Sequence, residues 1–124
     1  MLKHQHEEMI TVSTRVYILK DLARQRIAIL FNLARSRARL GDYELARRYI
    51  EIALKISKKA KVKLKRSYKR SYCRSCFAPL IPGITLSVRI RSEGKGSRVV
   101  YRCLLCGWTR RYMIKNRTRK SKQE

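Results

Sequence analysis

From Arg15 to Leu40 apolar side chains recur with a helical period, and neither glycine nor proline interrupts them. At 100° per residue, Val16, Ile18, Leu19, Leu22, Ala23, Ile27, Ile29, Leu30, Phe31, Leu33, Ala34, Ala38 and Leu40 cover more than half of the circumference. A single neighbouring helix buries only one stripe of such an arc, so a surplus apolar face is expected to meet a partner protein. Ile18, Leu22, Ile29 and Leu33 form one stripe, and Ala23, Ile27, Leu30 and Ala34 form another. One of them should face a second helix and the other the partner, and periodicity does not choose between them. The alternative is that the surplus face packs within the chain, on the second helix and the C-terminal part.

Gly41-Asp42 reads as the end of this helix and the start of the next, with glycine as the left-handed stop, Asp42 as N-cap and Glu44 in the first turn. The second helix is predicted over about Tyr43 to Lys63. Leu45, Tyr49, Ile52, Ala53, Ile56 and Ala60 make its apolar stripe, opposite a face of arginines and lysines. Further on, Pro82-Gly83 suits a type II turn. Ile84, Leu86, Val88 and Ile90 then alternate with Thr85, Ser87, Arg89 and Arg91 at the period of a strand. Gly94 to Ser97 is a flexible hairpin tip, Arg98 to Cys103 a second strand and Trp108 to Ile114 a third. The chain thus divides into a loose arm (1–14), a helical hairpin (15–64), a basic linker (65–71), a stranded unit (72–114) and a basic tail (115–124) without apolar period. His4 and His6, in the arm, have no thiolate or carboxylate cluster beside them and are taken as solvated.

Charge changes the picture most. The 124 residues carry 32 Lys+Arg against 8 Asp+Glu, a net +24, and residues 55–124 hold 22 basic and 2 acidic side chains. An excess of this size opposes compaction unless a polyanion neutralises it, which makes nucleic acid the expected partner. A merely solubilising surface does not need it. An anionic membrane is a weaker alternative, because no segment is long and apolar enough to span one. The eight carboxylates are scattered and assemble no two-metal nuclease site, so no active site is expected in this chain.

All four cysteines fall in two C-x-x-C pairs, Cys73/Cys76 and Cys103/Cys106, with 26 residues between the pairs. Two thiolates on each of two tight turns, brought together by a hairpin, make a tetrahedral four-cysteine site. The expectation is therefore one structural zinc ion per chain, with no open position for chemistry. Disulfides rank lower, since nothing resembles a signal peptide and a reducing, cytoplasmic setting follows. A thioredoxin-like motif lacks its βαβ surroundings, and an iron–sulfur cluster also accepts four thiolates. Gly107 follows the second knuckle, where positive φ lets the chain turn away. Phe77 holds the matching place after the first, so that turn is expected to close differently. The fold class is α+β: an N-terminal antiparallel αα-hairpin followed by a C-terminal four-cysteine zinc ribbon of about three antiparallel strands.

Candidate RNA contacts are Lys65, Arg66, Lys69 and Arg70 from the linker and Arg89, Arg91, Arg98, Arg102, Arg110 and Arg111 from the strands, expected to join into one basic surface. Arginine forks meet phosphate oxygens bidentately and stack on unpaired bases. Trp108 and Tyr112 offer stacking surfaces too, although Trp108 is better read as a cover over the knuckles.

Taken together, LARRYIEIALKISKKAKVKLKRSYKRSYCRSC from Leu45 onward, then PLIPG, VRIR and RVVYRCLLCGWTRRY, resemble the archaeal ribonuclease P protein component 4 family over roughly residues 15–114. The resemblance implies two N-terminal helices and a zinc ribbon with four cysteine ligands. It also implies a non-catalytic accessory subunit of the ribonucleoprotein that removes the 5′ leader from precursor tRNA. Its implied partners are the specificity domain of ribonuclease P RNA and a second subunit built on an Sm-like barrel, with precursor tRNA met only indirectly. A zinc-ribbon ribosomal or other RNA-assembly protein, or a transcription-type zinc-ribbon adaptor, are the competing readings.

Overall fold

In a computed structural model, residues 2–94 and 96–114 are described, with side chains from Val12 onward except Glu93. Three helices precede three strands: α1 (Leu2–Arg39), α2 (Tyr43–Ala60), α3 (Arg66–Lys69), β1 (Leu86–Glu93), β2 (Gly96–Cys103) and β3 (Thr109–Met113). The α+β order of hairpin and three-stranded antiparallel sheet is as the sequence predicts. The basic tail from 115 onward lies outside the described residues.

Helix α1 begins at Leu2, so the stretch expected as a loose arm is helical backbone, His4 and His6 included. Leu, Lys, Gln, Glu and Met are all good helix formers and no breaker separates them from Arg15, so the missing apolar period does not stop the helix. It ends as expected. Gly41 (φ 86°) reverses the chain, Asp42 N–H donates to Arg37 O at 3.0 Å and Gly41 N–H to Ala38 O at 3.1 Å, which is the paired bonding of a Schellman stop. The Asp42 carboxylate then accepts from Leu45 N–H at 3.4 Å and caps α2.

Helix α2 stops at Ala60 instead of running to Lys63. Lys61 takes the left-handed conformation (φ 54°), Val62 N–H reaches Ser57 O at 3.1 Å, and Val62 turns into the interior. A second Schellman stop thus forms without glycine, and burial of Val62 is the compensation on view. The buried seam of α2 is Ala46, Ile50 and Ala53. It is rotated from the predicted stripe: Leu45, Tyr49 and Ile56 lie at its margins and Ile52 is exposed. Small residues line the seam between the helices, Ala34 and Ala38 on α1 and Ala46 and Ala53 on α2 lying in one core with Ile27, Phe31 and Ile50.

The linker is not a free bridge. Within and after α3, Tyr68 lies 4.7 Å and Tyr72 6.2 Å, centroid to centroid, from the ring of Phe31 on α1. Phe77 and Ile81, in the loop of the first knuckle, pack on the same core. The ribbon is therefore joined to the hairpin by its knuckle loop and two tyrosines. No helix among the described residues is long and apolar enough to cross a membrane.

Candidate metal centre and nucleic-acid face

The four cysteine sulfurs converge, all within 4.8 Å of one another. Cys73 and Cys106 Sγ are 3.5 Å apart, and Cys76 and Cys103 Sγ 3.7 Å. A disulfide needs about 2.05 Å, whereas a tetrahedron with metal–sulfur bonds of about 2.3 Å has edges of about 3.8 Å. The donor set thus fits a tetrahedral metal ion and not two disulfides. Burial pushes the Cys73 thiol up to about 12 and raises Cys76 as well. At Cys106, on the exposed rim, desolvation is outweighed by the Trp108 N–H and the other three thiols, which draw it down to about 7. Buried thiols of this kind lose their protons when a cation takes their place.

The two knuckles close in the same way. Phe77 N–H donates to Cys73 O at 2.9 Å and Gly107 N–H to Cys103 O at 2.9 Å; Cys73 N–H reaches Ala78 O at 2.9 Å and Cys103 N–H reaches Trp108 O at 2.8 Å. Both closing residues have positive φ, 60° at Phe77 and 80° at Gly107. The expectation that the first turn must close differently is therefore overturned. A bulky residue in this region costs about 1–2 kcal/mol, and packing of the Phe77 ring against the helical core offsets it.

Strand alternation would point Thr85 outward, yet it is fully buried, while Ile84 is exposed. The reason is that β1 starts only at Leu86 and the preceding residues belong to the Pro82-Gly83 turn. The Thr85 hydroxyl donates to Pro79 O at 2.7 Å and accepts from Ile81 N–H at 2.8 Å. Its carbonyl accepts from Leu104 N–H at 2.8 Å, tying the second knuckle to the turn that precedes β1. Trp108 packs against Cys73, Leu80, Leu86 and Cys103, as a cover over the knuckles.

Sheet register sorts the basic candidates. Ser87 faces Arg102, Arg89 faces Val100 and Arg91 faces Arg98 across β1 and β2, while Arg102 faces Thr109 and Val100 faces Arg111 across β2 and β3. Because opposed residues share a face, Arg89, Arg91, Arg98, Arg102 and Arg111 lie together. A groove between the first two strands is lined by Arg89, Arg91 and Arg102. Arg110 falls on the other face, where Tyr101 and Tyr112 meet edge to face at 5.0 Å. There the Arg70 guanidinium sits 4.4 Å above the Tyr112 ring and that of Arg110 5.3 Å from it. The single basic surface expected from sequence is thus two clusters on opposite faces, with Arg70 pinning the linker to β3. Lys65, Arg66 and Lys69 are exposed on and beside α3. Val88 and Ile90, on the face opposite Arg89 and Arg91, are 45% and 71% exposed. The helices reach the ribbon through the knuckle loop, so no second layer covers this end of the sheet among the described residues.

On α1 the structure makes the choice that periodicity left open. Ala23, Ile27 and Ala34 are buried, Ile27 and Ala34 in the core shared with α2, whereas Ile18, Leu22, Ile29 and Leu33 are 56, 48, 55 and 42% exposed. Sequence reasoning missed the docking of Tyr68 and Tyr72 on Phe31. Two tyrosines four apart inside a lysine- and arginine-rich run are its only signal.

Residues 26–107 match the family model described as RNAse P Rpr2/Rpp21/SNM1 subunit domain. A Saccharolobus islandicus protein described as ribonuclease P protein component 4 is 42% identical over 96 residues, covering 77% of this chain and 88% of that protein. One of the same description from Thermococcus sibiricus is 45% identical over 108 residues, covering 85% and 88%. Among solved structures, a chain in the cryo-EM structure of archaeal ribonuclease P with mature tRNA superposes with TM-score 0.71 at 35% identity, covering 77% of this chain and 78% of that one. The structure described as Pfu Rpp21 gives TM-score 0.58 at 46% identity, covering 73% and 97%.

Proposed function

The chain belongs to the RNAse P Rpr2/Rpp21/SNM1 subunit family, and from that premise we propose that it is a non-catalytic subunit that binds the specificity domain of ribonuclease P RNA and supports 5′-leader removal from precursor tRNA. The observation that carries this reading is the sheet face on which Arg89, Arg91, Arg98, Arg102 and Arg111 stand side by side. Guanidinium forks on a rigid strand scaffold meet successive phosphates with little conformational cost. Arg70 and Arg110 supply a second basic cluster around Tyr112, and Lys65, Arg66 and Lys69 add exposed cations on and beside α3. A structural zinc ion held by Cys73, Cys76, Cys103 and Cys106 keeps the strands in register, and its closed shell of four thiolates does no chemistry.

The exposed stripe of Ile18, Leu22, Ile29 and Leu33 is the proposed contact with a second protein subunit, the Sm-like barrel that the family resemblance implies. The assembly works in the cytoplasm, with precursor tRNA reached through the RNA.

The RNA surface is tested by Arg89→Ala combined with Arg91→Ala. Zinc content should be unchanged, affinity for a specificity-domain transcript lower, and the log–log salt slope shallower by about 0.7–0.9 per lost contact. An unchanged slope in the folded variant moves the RNA surface elsewhere. Cleavage of precursor tRNA by the pure protein overturns the non-catalytic role.

A further inference from the structure

We propose that the pocket between α1 and the segment joining α2 to α3 holds one unpaired base of the bound RNA. This rests on the RNA-binding reading above and adds to it a site for something other than phosphate. The pocket exists because of the reversed turn at Lys61 and Val62, which sends residues 62–65 back alongside α1. Its cavity is about 280 Å³, at the small end for ligand sites and of a size for one ring system. Ile27, 2% exposed, and Val62, 7% exposed, floor it, and Tyr68 forms one wall. The Tyr68 ring is held from behind by Phe31 at 4.7 Å, so the wall stands ready before anything binds. Arg24, Lys63 and Lys65 form an exposed cationic rim. No carboxylate lines the pocket; the nearby Asp21 accepts from Gln25 Nε2 at 3.2 Å.

Two features together select the occupant. A phosphate alone has no use for an apolar floor, and an aliphatic side chain of a partner has no use for three cations around the mouth. A nucleotide joins a flat base to an anion a few bonds away and matches both at once. Unpaired bases set against aromatic and apolar walls beside cations are the usual mode of single-stranded RNA recognition. The arginine groove of the sheet is the contrast: its lining of Arg89, Arg91 and Arg102 suits backbone phosphates and offers no comparable floor.

The test uses the full chain with specificity-domain transcripts carrying 4-thiouridine or 6-thioguanosine, irradiated and mapped by mass spectrometry. Adducts within residues 24–28 or 62–68 are expected. Ala28→Trp, which fills the pocket from α1 and leaves every cation in place, should weaken binding roughly tenfold with the salt slope unchanged. A folded Ala28→Trp protein with wild-type affinity overturns the base pocket, and so do adducts confined to the sheet. Should that variant lose its helical signal, the crosslinks on the unaltered chain decide. Protection of residues 62–68 by a protein subunit and not by RNA also overturns it. A wild-type chain that binds no RNA refutes the broader reading, an outcome distinct from all of these.

Discussion

In the helical hairpin the interior is made of Ile27, Phe31, Ala34, Ala38, Ala46, Ile50 and Ala53, drawn from two long helices whose own backbone bonds are complete. In the ribbon the buried apolar cluster is Cys73, Leu80, Leu86 and Cys103, half of it thiol. Apolar burial at about 25 cal/mol per Å² gives the first region a folding drive of its own. The second buries fewer apolar side chains, so a metal ion bound by the four thiols would supply what its core lacks. The two regions meet through Tyr72, Phe77 and Ile81, so the hairpin also provides a floor on which the first knuckle is built.

The largest break in this contrast comes from removing the metal. Binding free energy in small zinc domains is largely folding free energy, on the order of 10 kcal/mol. Chelation, or Cys103→Ser, should collapse the dispersed amide signals of residues 86–113 while far-ultraviolet circular dichroism keeps the signal of α1 and α2. Loss of both together would mean that the hairpin has no independent stability. Acid should act like a chelator. Protons compete with the metal for thiolates, so zinc retention is full at neutral and higher pH and is lost as pH falls, which a zinc-release titration followed by a colorimetric chelator reads directly.

Next in size is Phe31→Ala, expected to cost about 3–5 kcal/mol. Phe31 carries both the hairpin core and the Tyr68 and Tyr72 contacts, so thermal unfolding should shift for helices and ribbon together. A change confined to the helices would show that the linker tyrosines do not couple the regions.

Gly107→Ala sharpens the comparison between the knuckles. A new Cβ would meet nothing within 4 Å, so only the left-handed backbone is strained, at about 1–2 kcal/mol. Zinc affinity should fall by that amount. No change would mean that the second knuckle tolerates the strain as the Phe77 knuckle does.

The smallest expected effect on stability comes from Leu22→Asp with Leu33→Asp. Both positions are solvent-facing, so folding should change by less than about 0.5 kcal/mol each. Co-purification with the second subunit should nevertheless be abolished. A folded double variant that binds as before shows that the exposed stripe is not the interface.

Local chemistry was legible in the chain. The Gly41-Asp42 boundary, the Pro82-Gly83 turn, the three strands and the convergence of four thiols each depend on residues within one turn or on a fixed spacing, and each is present, although β1 starts at Leu86 and not Ile84 and β2 at Gly96 and not Arg98. What resisted prediction depends on contacts between residues far apart. Helical period alone does not say which stripe of α1 meets α2; the answer comes from the small side chains of both helices, which let the Ala34 and Ala38 side approach. Nothing within C-x-x-C announces that Phe77 will adopt the glycine conformation, because the compensating contact is with a helical core distant in the chain. Arg110 and Arg111 are neighbours in sequence, yet the pleat sends them to opposite faces, one to the tyrosines and one to the arginine face. The sequence by itself therefore determined the elements, the metal donors and the charge. Only the tertiary structure decided the faces, because a face is defined by what packs against it.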